Sequence, residues 1–112
     1  MDGEYHPGKL VKHEDGTFSL LFTDFDGTIG IFEEMGMEGG GYSWHAVVDA
    51  LVRMEVPELS KKLSYDPEAS MFVAISSDAN VLKEIARLIR NAIKDPQLLK
   101  MAITNADPEL ID

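Results

Sequence analysis

Residues 63–94 read LSYDPEASMFVAISSDANVLKEIARLIRNAIK and predict two short strands followed by a long helix. The Asp-Pro pair at residues 66–67 favours a turn between the apolar runs on either side of it. Ser77 or Asp78 can cap the helix, whose apolar residues recur at three- and four-residue spacing. These apolar positions are Leu82, Ile85, Ala86, Ile89, Ala92 and Ile93. The stretch therefore predicts a hairpin whose second strand leads into an amphipathic helix.

A second hairpin is predicted before it. Residues 9–13 and 17–23 are rich in strand-forming side chains, and the Asp-Gly pair at residues 15–16 between them is typical of a tight hairpin turn. Residues 29–33 contain the β-branched and aromatic side chains of Ile29, Ile31 and Phe32 and predict a third strand. A glycine-rich loop at residues 36–41 separates these strands from the next element.

The first helix is predicted to follow that loop, because Trp44, Val47, Val48 and Leu51 share one helical face. Pro57 is expected to end it. The resulting order, β-β-β-α-β-β-α, predicts an α+β fold in which helices pack on one face of an antiparallel sheet of about five strands. A length of 112 residues fits a single domain over residues 1–112, with residues 1–8 as a loose lead-in and residues 104–112 as a flexible tail.

Charge is the most unusual feature of the composition. The chain has 20 acidic and 10 basic residues, a net charge of −10, and no cysteine. Eight of the acids lie between Glu14 and Val52, where there is no Lys or Arg. The absence of cysteine excludes thiol chemistry, and the negative charge argues against nucleic acid or an anionic membrane as partner. The acidic half is either a solvated surface or a patch that steers a cationic partner. Without a signal peptide or a long apolar run, the expected location is the cytoplasm.

An apolar strand followed by Asp24-Phe25-Asp26-Gly27-Thr28 resembles the first motif of the haloacid dehalogenase superfamily. That resemblance implies a Mg²⁺-dependent phosphohydrolase with Asp24 as nucleophile and Asp26 as acid and base. The superfamily needs a parallel sheet and a helix directly after the motif, whereas residues 29–32 suit a strand. The preferred interpretation is a turn between two strands, and the phosphohydrolase is the alternative.

Other candidate sites are weaker. His6, His13 and His45 share no spacing typical of metal ligands, so neither a metal nor another cofactor is expected. Four basic residues form a stripe on the last long helix, opposite its apolar face. They are Lys83, Arg87, Arg90 and Lys94. This basic stripe is either a solvated face or a site that holds an acidic partner.

Two motifs together resemble the immunity protein 51 family of bacterial polymorphic toxin systems. The first is Gly41-Tyr42-Ser43-Trp44, and the second is Asp66-Pro67-Glu68-Ala69-Ser70-Met71-Phe72, with Ser70 where the family pattern has glycine. The resemblance covers about residues 9–95. The motif residues are expected to be structural, because aromatic and methionine side chains in amphipathic elements usually pack. They are Gly41, Tyr42, Trp44, Asp66, Pro67, Glu68, Met71 and Phe72.

The resemblance implies a cytoplasmic protein that binds and neutralises a cognate toxin in competition between bacteria, and that is not an enzyme. Because an acidic protein can bind the substrate groove of a basic nuclease, a nuclease-type toxin is a reasonable partner. The predicted contact residues are the acids around the glycine-rich loop, namely Asp24, Asp26, Glu33, Glu34 and Glu38.

Overall fold

The computed structural model describes residues 4–110 and has an α+β fold, as the sequence predicts. The strands are β1 (Lys9–Lys12), β2 (Phe18–Phe22), β3 (Ser64–Tyr65) and β4 (Phe72–Ser76). The α-helices are α1 (Ile29–Glu34), α2 (Gly41–Glu55), α3 (Ala79–Lys94) and α4 (Pro96–Thr104). Short 3-10 helices span Pro57–Lys62 and Pro108–Leu110.

The four strands form one antiparallel sheet in the order β1-β2-β4-β3. Both predicted hairpins are present. In the first, Gly16 has a φ of 90°, which glycine adopts without strain, and the Asp15 carboxylate accepts a hydrogen bond from the Thr17 amide at 3.0 Å. In the second, the two motif residues Asp66 and Pro67 lie in the turn between β3 and β4.

The prediction of a third strand at residues 29–33 is wrong, and residues 4–110 form a sheet of four strands rather than about five. These residues form α1, a short helix fixed by the complete burial of Phe32. Gly36, with a φ of 81°, ends the helical path, and the Met37 amide donates to the Phe32 carbonyl at 2.8 Å. The strand preference of Ile29 and Ile31 is weaker than this packing, because one buried aromatic outweighs the small propensity differences of a six-residue segment.

The centre of one face of the sheet is completely buried. Leu20 lies opposite Ala74, and Phe22 opposite Phe72, and all four side chains are at most 1% exposed. Helix α3 packs on β2 and β4, and α2 packs on β4. The helices and this face of the sheet therefore form the two layers that enclose the core.

Trp44 on α2 lies at the centre of that core and is completely buried. Its ring meets Phe22 and Phe32 edge to face, with centroids 5.1 and 5.5 Å away. Its indole Nε1 has no hydrogen-bond acceptor among the described residues, so the Trp44 side chain is held by aromatic packing alone.

The helix ends follow the sequence with one exception. Asp78 caps α3, and its carboxylate accepts a hydrogen bond from the Asn80 amide at 2.9 Å. Serine is a common cap residue, but Ser43 after the glycine-rich loop lies inside α2, which begins at Gly41. The Ser43 hydroxyl instead accepts from the Gly39 amide at 2.9 Å and fixes the glycine-rich loop against the helix.

Candidate functional site

Three of the five predicted contact acids lie together around the end of α1. Glu33, Glu34 and Glu38 are exposed. Glu33 and Glu34 end α1, and the loop after it, which carries Glu38, is held by the burial of Met37, which is 7% exposed. Glu34 forms an ion pair with Lys100 of α4, with 3.5 Å between its Oε2 and the lysine Nζ. Because both partners are exposed, this pair is weak and open to exchange.

The other two predicted contact acids, Asp24 and Asp26, lie in the turn after β2. Phe25 between them is 9% exposed and packs edge to face on Phe22, which directs the turn. Asp24 lines a cleft of about 390 Å³ that Arg90 and Lys94 also line. Asp26 is exposed and does not line that cleft. The two carboxylates of the apparent phosphatase motif therefore lie in different environments, Asp24 at the cleft and Asp26 outside it.

The phosphohydrolase interpretation finds no support in this arrangement. A helix does follow the motif, contrary to the strand predicted there, but β2 pairs antiparallel with both of its neighbours, β1 and β4. The superfamily mechanism needs a parallel sheet to bring its motifs to one edge. Within residues 4–110, no three His, Asp or Glu side chains are grouped so that they could hold a metal ion.

The basic stripe on α3 is largely engaged within the chain. Lys83 pairs with Glu4 at 3.4 Å, and Arg90 donates to the carbonyl oxygens of Glu4 and His6 at 3.2 and 2.7 Å. Arg87 pairs with Glu84 at 2.9 Å, and its hydrogen bond lowers the pKa of the Glu84 carboxyl. The stripe thus holds the segment before β1 against α3, which weakens the case for an acidic partner there.

The two motifs that carry the family resemblance are in backbone contact. The Gly41 amide donates to the Ala69 carbonyl at 3.0 Å, and Glu68 and Met71 close the turn through two mutual backbone hydrogen bonds of 2.8 and 3.1 Å. A Cβ atom on Gly41 would overlap the carbonyl oxygens of Glu68 and Met71. Glycine at this position therefore lets the start of α2 lie directly on the turn before β4.

The remaining motif side chains divide between core and surface. Trp44 and Phe72 are completely buried, Met71 is half-buried, and Tyr42 is 38% exposed at the start of α2. Pro67 is partly buried, whereas Asp66 and Glu68 are exposed. Within this group, sequence reasoning missed the contact between Gly41 and the turn. The pattern gives no signal for it beyond the presence of glycine at the first position of a helix.

A titratable pair lies next to these motifs. The rings of His45 on α2 and Tyr65 on β3 are 4.5 Å apart. Burial lowers the pKa of His45, against an opposing effect of the Asp49 carboxylate. Burial, with a smaller effect of Asp49, raises the pKa of Tyr65. Both groups are therefore held neutral where α2 meets the edge of the sheet.

Comparison with known proteins identifies one family. The sequence model of the family described as immunity protein 51 matches residues 9–108. No curated protein and no solved structure gives a significant match. Across residues 4–110, none of the helices has the length and apolar character needed to cross a membrane.

Proposed function

The chain belongs to the immunity protein 51 family, and on that premise we propose that it binds a cognate bacterial toxin and neutralises it in the cytoplasm during competition between bacterial cells. The observation that carries the proposal is the extent of the family match, which spans the whole sheet and helices α1 to α4. The proposed partner is a protein, because a net charge of −10 repels nucleic acid and anionic membranes. The proposed action is binding without turnover.

We propose further that the acids Asp24, Asp26, Glu33, Glu34 and Glu38, here called the acidic segment, contact a basic surface of the toxin. The support is that all five are exposed and that no Lys or Arg occurs between Glu14 and Val52. An oriented negative field raises the rate at which a cationic partner is captured. If the toxin is a nuclease, such a contact covers the groove that would otherwise bind phosphates. A toxin cation can also replace Lys100 on Glu34, since that ion pair is exposed.

The experiment uses the C-terminal domain of the protein encoded beside this chain as the toxin. Co-expression with the wild-type chain should restore growth of cells that produce the toxin domain, and the two should co-purify. Failure of both protection and complex formation would show that the proposed function is wrong. Phosphate release from a panel of phosphate esters that depends on Mg²⁺ and on Asp24 would contradict binding without turnover.

The contact surface is tested by the rate of association. The double variant Glu33→Lys/Glu34→Lys should associate about tenfold more slowly at low salt, with the difference shrinking at high salt. The matched control is Glu58→Lys/Glu109→Lys, which makes the same charge change at two other exposed acids. Equal slowing by both pairs would show that only net charge matters, and the acidic segment would then not be the contact surface.

A further inference from the structure

The face of the sheet that points away from the core carries four apolar side chains beside Lys9, Ser19 and Ser64. Successive side chains along a strand point to opposite faces of the sheet, so the residues next to the buried ones in sequence point away from the core. There Val11 and Ile75 both lie opposite Ser19, and Leu21 lies opposite Val73. Val11, Leu21, Val73 and Ile75 thus lie around Ser19 on β1, β2 and β4, and these four residues are here called the open face. A sheet with one solvated face usually carries polar residues on it.

The open face keeps access to solvent. Val11, Leu21 and Ile75 are partly exposed and Val73 is 7% exposed, whereas Leu20, Phe22 and Phe72 on the helix side are at most 1% exposed. Folding of this chain therefore leaves three neighbouring apolar side chains partly open to solvent. A contiguous apolar patch of this kind on a small protein is typical of an interaction surface.

The charges at the two ends of the open face differ. At one end, Ile75 lines a cleft of about 370 Å³ together with Lys61 and Lys62, which are exposed and form no ion pair with the described residues. At the other end, the exposed Asp66 lies beside Val73, and its amide donates to the Val73 carbonyl at 3.1 Å. A complementary surface has an apolar centre, carboxylates facing the lysines and a cation facing Asp66.

We infer that the open face is the apolar centre of the contact with the toxin, an inference that rests on the proposed function. Charged groups mainly set the rate and selectivity of association, whereas a desolvated apolar centre holds a complex together. Asp24 and Asp26 follow the end of β2 at which Leu21 lies, so the acidic segment begins at the border of the open face. A second copy of this chain is a poor occupant, because two molecules of charge −10 repel each other.

The test separates dissociation from association. Val11→Thr and Ile75→Thr keep β-branched side chains on the open face while making them polar, and each should raise the dissociation rate of the toxin-domain complex about tenfold. The association rate and its salt dependence should stay unchanged. The matched control is Met54→Thr, because Met54 is an apolar residue 38% exposed on α2. Circular dichroism and thermal midpoints establish that each variant is folded.

A charge variant tests the same surface without touching the sheet. Lys62→Glu lies on an exposed 3-10 helix and should weaken the complex at least fivefold. Lys12→Glu, whose side chain alternates to the other side of β1 from Val11, is the control with the same charge change.

Each outcome has a separate meaning. If the wild-type chain forms no complex with the toxin domain, the proposed function is wrong and this inference falls with it. If the toxin domain dissociates from the open-face variants at the wild-type rate, as it should from Met54→Thr, this inference alone would be overturned. Self-association of the wild-type chain that Val11→Thr abolishes would assign the open face to a second copy and would also overturn it.

Discussion

Replacing Gly41 with alanine should separate the two motifs that identify the family. The new Cβ would overlap the carbonyl oxygens of Glu68 and Met71 and would lie 2.7 Å from the Met71 carbonyl carbon. All of these atoms belong to the backbone of a turn closed by two hydrogen bonds, so no flexible side chain can move aside. The start of α2 must shift away from the turn before β4.

The size of the effect follows from three contributions. Alanine gains at most about 1 kcal/mol over glycine in a helix. Overpacking against a rigid neighbour costs about 3 kcal/mol. Loss of the hydrogen bond from the Gly41 amide to the Ala69 carbonyl costs about 1 kcal/mol more. The net loss of unfolding free energy is about 3 kcal/mol, which corresponds to a fall of roughly 12 °C in Tm for a domain of this size.

Urea unfolding followed by circular dichroism measures this change, with Gly30→Ala as the matched control. Gly30 also lies in a helix, and a Cβ atom there would meet nothing within 4 Å. The control should therefore be as stable as the wild-type chain or up to about 1 kcal/mol more stable. If Gly41→Ala is as stable as Gly30→Ala, the close backbone approach of the two motifs does not exist.

Two further substitutions test how α4 and the edge of the sheet are held. Asp95→Ala removes the carboxylate that accepts hydrogen bonds from the Gln97 and Leu98 amides, and it should lower the free energy of unfolding by about 1 kcal/mol. Asp95→Asn keeps an acceptor and should keep most of that stability in thermal unfolding. Equal losses for the two variants would contradict a capping role. Burial lowers the pKa of His45 below its ordinary value of 6.5, so the unfolded chain binds this proton more readily and the folded state loses stability as pH falls below about 6.5. Urea midpoints at pH 7.5 and 5.5 should therefore differ more for the wild-type chain than for His45→Gln, and an equal difference would contradict the reasoning.

Most of the fold could be predicted from local patterns. The Asp15-Gly16 turn specifies the first hairpin because few other pairs fit such a turn, and Asp78 marks the start of α3 because its carboxylate supplies an acceptor for a free helix amide. The end of α2 follows from Pro57, since proline disfavours helical geometry at the residue before it. In each case the deciding interaction lies within a few residues of the chain.

The wrong prediction of a strand at residues 29–33 has the opposite cause, because the deciding contact there is distant in sequence. Ile29 and Ile31 have strand preference, but the conformation of this segment depends on Phe32 packing against Trp44, which is 12 residues away in sequence. Six residues are also too few for a helical period to stand out from alternation. A distant contact therefore decided the element, and no local pattern could report it.

Of the two candidate contact surfaces, one could be predicted from the sequence and the other depends on how the chain folds. That the acidic segment is exposed could be predicted from composition, because unpaired carboxylates are rarely buried. The open face has a weaker signal, the uninterrupted apolar runs at residues 20–22 and 71–75, in which both sets of alternating positions are apolar. Such runs also occur in strands covered on both sides. Only the sheet order, with its helices packed against Leu20 and Phe22, shows which set is left open.

The residues that identify the family and those proposed to bind the toxin are nearly separate sets. Gly41, Trp44 and Phe72 are buried in contacts that hold α2 against the sheet, so their presence specifies this fold and not a particular partner. The proposed recognition of the toxin then depends on side chains that the fold leaves exposed, such as Glu33, and on the open face. It follows that changes at Gly41 should act through stability, whereas changes on the open face should alter the lifetime of the complex at unchanged stability.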